Sequence, residues 1–265
     1  MNYTSEDFRI QYISTYTLYI HTDLVYDQLV VVNDDHQVVL LMIYHRENPS
    51  QEAMKILGLP FPSVYVVLAH QNLVWVPKEV FEEEKKAVFT PFFDHSETSH
   101  IFSKDIDNLG ITALYEFDVL QINRWKALFP QARFVPVFEV VLKQAQLQIP
   151  IEGKVLGVHV YNHKIDLFVF VNGTFQFYNS FEASTADDLS YFVLQLFKQF
   201  DIDQQVEKIL LSGTDLQSDW AKRLTNYTGN LELAKSKNRW SSTTVDVGEK
   251  VDTLGVLIDS VLCAS

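Results

Sequence analysis

Asp27-Gln28-Leu29-Val30-Val31-Val32-Asn33 recurs in the second half of the chain as Asp166-Leu167-Phe168-Val169-Phe170-Val171-Asn172, and this pair of segments decides the fold. Each is a β-branched and aromatic run opened by an acid and closed by an asparagine, the pattern of a strand that ends in a turn. Just upstream, Leu18-Tyr19-Ile20-His21 matches Leu156-Gly157-Val158-His159, with one residue more in the second intervening loop. Self-similarity at a nearly fixed offset is the mark of a duplicated structural unit. Val-rich strands also resemble one another by composition alone, so the surrounding order has to carry part of the argument.

That order is repeated too. Tyr16 to His21, Asp27 to Val32 and Val38 to Tyr44 read as one antiparallel meander, with Asn33-Asp34-Asp35-His36 as a polar turn. Lys154 to Tyr161, Ile165 to Val171 and Thr174 to Ser180 read as another, with Asn172-Gly173 as a two-residue hairpin turn. After the first come a helix over Ser50 to Leu57 and a strand over Ser63 to His70; after the second, a helix over Thr185 to Phe200 and a strand over Lys208 to Ser212. The later helix is explicit: Thr185 caps it, Asp187 and Asp188 suit its positive end, and Leu189, Phe192, Val193, Leu196, Phe197 and Phe200 form an apolar stripe.

The first half continues with a strand at Leu73 to Val76, a helix over Pro77 to Ala87 with proline in its first turn, and elements at Ala113 to Ile122, Arg133 to Val135 and Pro136 to Gln146. Phe89 to Gly110, rich in Thr, Ser, Asp and His, reads as an irregular excursion. The second half continues with a helix over Leu216 to Tyr227, a strand at Leu231 to Ala234 and a closing helix near Val251 to Cys263. The prediction is therefore an α/β chain of two ribonuclease-H-like halves, 1–150 and 151–265, divided where Pro150 and Gly153 interrupt helix and strand alike.

The duplicated order resembles the actin-like ATPase superfamily. More narrowly, Val74-Trp75-Val76-Pro77-Lys78-Glu79-Val80-Phe81, Gly173-Thr174-Phe175-Gln176-Phe177-Tyr178-Asn179-Ser180-Phe181, Asp187-Asp188 and Tyr191 resemble the bacterial domain-of-unknown-function family 3822 over nearly the whole chain. The resemblance implies an actin-like fold with no established activity. It also implies where nucleotide would sit: in the superfamily the first hairpin turn of each half is of an Asp-x-Gly type, glycine letting backbone N–H groups approach phosphate and aspartate engaging magnesium-bound water. Here the turns read Ile20-His21-Thr22-Asp23-Leu24 and Val158-His159-Val160-Tyr161-Asn162; neither has the glycine, and histidine stands where each aspartate would fall. Leu210-Leu211-Ser212-Gly213-Thr214-Asp215 fits the superfamily's adenosine-packing turn with one glycine, and reads equally as a strand-to-helix turn capped by Thr214 or Asp215.

The candidate cofactor-binding set in an interdomain cleft is thus His21, Thr22, Asp23, His159, Asn162, Ser212 and Gly213, with no catalytic residue and no metal ligand assigned. His21 and His159 have two readings, a remade anion or metal site and a pair of strand-end histidines satisfied by backbone groups; no Asp, Glu or Cys completes a ligand set by spacing. The expected function is a non-catalytic or vestigial actin-like protein, a pseudo-ATPase serving as an interaction or regulatory module through a protein partner or self-association. The alternative is an ATP-binding ATPase or kinase in which Asp23, Asp27 or Asp166 supplies the acid. No cofactor is expected, with weak ATP and magnesium binding left open.

Composition narrows the partners. Among 265 residues, 34 acids against 21 bases give a formal charge of −13, which repels phosphate backbones and anionic lipid, and no basic patch intervenes. Lys85-Lys86 follows three glutamates, and Lys235 to Arg239 is short. The longest apolar run, Val38 to Tyr44, is far shorter than a bilayer crossing requires. The one cysteine, Cys263, allows no internal disulfide. The expectation is a cytoplasmic protein that binds neither nucleic acid nor membrane.

Overall fold

The computed structural model describes residues 2–23, 25–93, 100–161, 163–242, 247–248, 251 and 253–263. It resolves into two compact units, one built on residues up to Glu139 with segments beginning at Trp240 and Ser260, the other on Val140 to Arg239 with the intervening C-terminal residues.

In the first unit the meander is β2 (Thr17–Thr22), β3 (Tyr26–Val32) and β4 (Val38–His45). The turn after β3 closes because Asn33 Oδ1 accepts the amides of Asp35 at 3.1 Å and Gln37 at 2.9 Å while His36 takes a left-handed φ of 58°. Ser50 caps α1 (Gln51–Leu57), which leads to β5 (Ser63–Leu68); β9 (Arg133–Pro136) completes the parallel part. With β1 (Asn2–Thr4) added at the edge, the sheet order is β1-β4-β3-β2-β5-β9. Leu18, Ile20, Leu29, Val31, Leu40 and Val66 are fully buried, which is why the strands read as near-continuous apolar runs. The returning segment is tied in by Val38 N–H donating to Ser241 C=O at 2.9 Å and by Trp240 against Tyr19, ring centroids 4.7 Å apart.

The second unit contains β10 (Lys154–Tyr161), β11 (Lys164–Val171), β12 (Thr174–Glu182), β13 (Lys208–Ser212) and β14 (Leu231–Leu233), in the order β12-β11-β10-β13-β14. Counted from the first strand of its meander, each unit has the order 3-2-1-4-5, with strands 1 to 3 antiparallel and 4 and 5 parallel to strand 1, and β1 is an addition at the edge of the first. α4 (Ala186–Gln199) is held by a full capping box between Thr185 and Asp188, and buries Leu189, Val193, Leu196 and Phe197 against Leu156, Val158, Leu167 and Leu211. On the other face, Gly157 leaves room for the Phe168 ring; an added Cβ would lie 1.8 Å from Phe168 Cζ.

Four predicted elements differ. Pro77 to Ala87 is not one α-helix but two 3₁₀ segments, Lys78–Val80 and Glu83–Phe92, separated by extended backbone at Phe81 and Glu82. Val80, Val88 and Phe92 remain exposed, so no apolar stripe is buried to sustain an α-helix. Phe89 to Gly110 is not wholly irregular: β7 (Phe102–Ile106) pairs with β8 (Ile111–Phe117), and β8 with β6 (His70–Pro77), giving the first unit a three-stranded sheet that has no counterpart among the described residues of the second. The helix predicted over Leu216 to Tyr227 shortens to α5 (Asp219–Leu224), because Asp215 Oδ1 takes the Gln217 amide at 2.7 Å and Ser218, not Thr214 or Asp215, caps the helix. The closing helix shortens to α6 (Gly255–Asp259) followed by a 3₁₀ turn over Ser260–Cys263, within which Cys263 is buried. The remaining helices are α2 (Val119–Leu128) and α3 (Val137–Ala145).

Candidate functional site

The repeated acids that opened the sequence reading both lie at zero exposure on the second strand of their meander. A carboxylate removed from water requires donors or a cation, and the two units provide them differently. In the first, Arg124 of α2 meets Asp27 side-on, Nη2 to Oδ2 at 2.5 Å and Nη1 to Oδ1 at 3.2 Å, and Thr22 Oγ1 donates to Oδ1 at 2.5 Å. Tyr44 lies opposite Asp27 in register, and its phenol is held protonated well above the usual range, by burial first and by the Asp27 charge second. In the second unit three hydroxyls converge on Asp166: Tyr161 at 2.9 Å and Ser180 at 2.5 Å on Oδ1, Tyr178 at 2.5 Å on Oδ2. Burial outweighs these donors and pushes the Asp166 carboxyl up to about 6.

The two hairpins are not in the same register. Thr22 pairs with Asp27, whereas His159 pairs with Asp166. Because side chains alternate across a strand, His159 shares the face of its acid and His21 points to the opposite face from Asp27. His21 is half-buried, and burial lowers its pKa against the opposing pull of Asp23 and Asp27. An imidazole lowered from 6.5 is neutral at pH 7 and offers an anion no charge.

Asp23 folds back on the first turn: its Oδ1 accepts the amides of Val25 at 2.6 Å and Tyr26 at 2.7 Å. In the second unit His159, Ser212 and Gly213 come together at the C-terminal ends of the parallel strands β10 and β13, the end at which open α/β sheets bind ligands. His159 Nδ1 shares a hydrogen bond with Ser212 Oγ at 2.9 Å, and its ring stacks on Tyr161 at 5.3 Å. Asn162 lies outside the described residues. Gly213, at φ 78°, sits so close to β10 that an added Cβ would be 1.9 Å from Val160 O. Gly213→Ala is therefore expected to lose about 2–4 kcal/mol of stability, against about 1 kcal/mol for Ser212→Ala. Thermal melts that placed Gly213→Ala level with wild type would contradict this close approach.

A polar pocket of about 330 Å³ between the start of α4 and α5 is lined by Thr185, Asp187, Asp219, Lys222 and Arg223. Its charges pair with each other, Arg223 with Asp187 at 2.6 Å and Lys222 with Asp219 at 3.2 Å. Among the described residues no group of three or more His, Cys, Asp or Glu is arranged to hold a metal, and no helix is long and apolar enough to cross a membrane.

The family model described as "Protein of unknown function (DUF3822)" matches residues 5–231. The chain belongs to the DUF3822 family. No curated protein sequence matches it. Among solved structures, this DUF3822 chain is similar to a Bacteroides thetaiotaomicron VPI-5482 protein with actin-like ATPase fold and unknown function. The TM-score is 0.68 at 17% identity, covering 92% of this chain and 98% of that one. It is also similar to a chain of the PilM-PilN type IV pilus biogenesis complex, with a TM-score of 0.60 at 11% identity, covering 93% of this chain and 97% of that one. At these identities the likeness is one of fold, and the fold is that of the actin-like ATPases, as the sequence resemblance implied.

Proposed function

We propose that this protein is a non-catalytic actin-fold module of the cytoplasm that acts through protein contacts and needs no cofactor. The first hairpin turn carries the reading. The amides of Val25 and Tyr26, which a phosphate in that turn would draw on, already donate to Asp23 Oδ1. A phosphate oxygen brought there would meet a carboxylate, and two like charges about 4 Å apart near a protein surface repel by about 4 kcal/mol. Nor does Asp27 offer a spare acid for magnesium-bound water, since Arg124 already occupies both of its oxygens. The residues of this turn therefore fit nucleotide and magnesium poorly. That the PilM-type neighbour was solved in a complex with PilN supports the protein-contact half of the reading.

Weak ATP binding is the second reading, favoured by the Ser212-Gly213 turn, where a left-handed glycine ends a parallel strand. Calorimetry separates the two. Titrating ATP and magnesium into the protein is expected to give only heats of dilution. A saturable isotherm, or ATP hydrolysis that disappears in Asp23→Ala, would overturn the non-catalytic reading.

A further inference from the structure

The two units share one strand order but differ at the meander edge. In the first unit β1 closes the outer side of β4, pairing Asn2 with Met42, Tyr3 with Leu41 and Thr4 with Leu40 in antiparallel register. In the second the sheet ends at β12, and no described strand pairs with its outer side. At nine residues β12 is the longest described strand, and it spans roughly 30 Å. Sheet edges of soluble proteins are ordinarily blunted by lysine, proline or shortness. β12 has no lysine and no proline, and its one charge, Glu182, stands at its end. Its bulge lies toward the start, opposite Val169 and Phe170, leaving Phe177 to Glu182 regular. Within that stretch the Ser180 N–H donates to the side chain of exposed Asn179 at 2.9 Å, so a displaceable amide stands where a ladder partner would.

We propose that the regular stretch of β12 is a homotypic docking edge, pairing antiparallel with β12 of a second copy about a two-fold axis at Asn179. An antiparallel pair of identical strands is self-complementary and closes, so it buries both edges without leading to fibres. Centred on Asn179, the pairing sets Phe177 opposite Phe181 of the second copy on one face, an aromatic cross-strand pair of the kind that stabilises sheets. Glu182 falls opposite Gln176, so the strand's one charge does not meet itself. The formal charge of −13 on each copy opposes approach at long range, but repulsion beyond about 8 Å is screened at physiological ionic strength. Added salt therefore strengthens this association, whereas it would weaken capture of a basic partner.

Sedimentation velocity of the full chain over a concentration series, at low and moderate salt, tests the proposal. A monomer–dimer equilibrium that shifts toward dimer with salt is expected. Asn179→Lys places two like charges at the axis and should weaken the dimer on the order of tenfold or more. Gln195→Lys, the same charge change on the exposed face of α4, should leave it unchanged. Deuterium exchange on the wild type supplies a readout free of substitutions: β12 amides gain protection as concentration rises. A wild-type chain that stays monomeric throughout, or two lysine variants that behave alike, would overturn the proposal. It stands apart from the nucleotide reading, which calorimetry tests, so either can fail alone.

Discussion

Arg124→Ala should be among the most damaging single substitutions in the first unit, costing about 3–5 kcal/mol and lowering its melting temperature by roughly 10 °C. The reason is asymmetry. The Arg124 side chain is about a quarter exposed, but the Asp27 side chain has no exposure, so truncating the arginine strands a buried carboxylate that keeps the Thr22 hydroxyl but no cation. Arg124→Lys should recover only part of the loss, because an ammonium cannot reproduce the two-pronged contact.

The charge argument makes a sharper demand. Adding Asp27→Asn to Arg124→Ala removes the buried charge and leaves an amide oxygen for Thr22, so the double variant should be more stable than Arg124→Ala alone. A double variant no more stable than the single one would mean that the loss came from the arginine's packing, since its guanidinium lies 4.5 Å from the Trp125 ring centroid. A complete double-mutant cycle, read by chemical denaturation, separates these contributions.

What was legible beforehand follows from the range of each interaction. The paired meanders, the Thr185 cap and the Asn172-Gly173 turn are local, and each was visible in a few consecutive residues. The duplicated strand order followed from their succession. The extra sheet did not, because Phe102-Ser103-Lys104-Asp105-Ile106 has no sustained apolar alternation and becomes a strand by pairing with β8. Arg124 gave no sequence signal either: it lies 97 residues from its partner, inside an otherwise ordinary amphipathic helix. Most instructive are the histidines. The one-residue loop difference between the repeats was readable, but a one-residue change in hairpin register exchanges the faces, so His21 and His159 match in sequence and yet stand differently toward Asp27 and Asp166. Of the candidate residues, Ser212, Gly213 and His159 lie together in the second unit, while Asp23 serves its own turn in the first.

The pH profile of the second unit should reveal Asp166. Its carboxyl is raised from 3.8 to about 6, by burial first, with Ser180, Tyr178 and Tyr161 donating to it and Lys164 acting as the favourable charge. A raised carboxyl means that the folded state binds the proton more tightly than the unfolded chain. Its contribution to stability is therefore fully present below pH 3.8 and is lost as pH rises through about 6, a swing of about 3 kcal/mol. Exposed acids tilt the other way: Asp188, lowered by Thr185 and two backbone amides, and Glu232, lowered by Lys208, favour folding as pH rises. The raw profile mixes these signs, so the informative quantity is the stability of Asp166→Asn minus that of wild type. Asparagine keeps an acceptor oxygen for two of the hydroxyls but carries no charge, and the exposed acids cancel in the difference. That difference should climb between pH 4 and 6 and level off above, leaving the variant equal to or more stable than wild type at neutral pH, despite one hydroxyl having to turn away from the new amide. A flat difference across this interval would mean that the three hydroxyls hold Asp166 ionised as well as water does, and that burial does not govern this site.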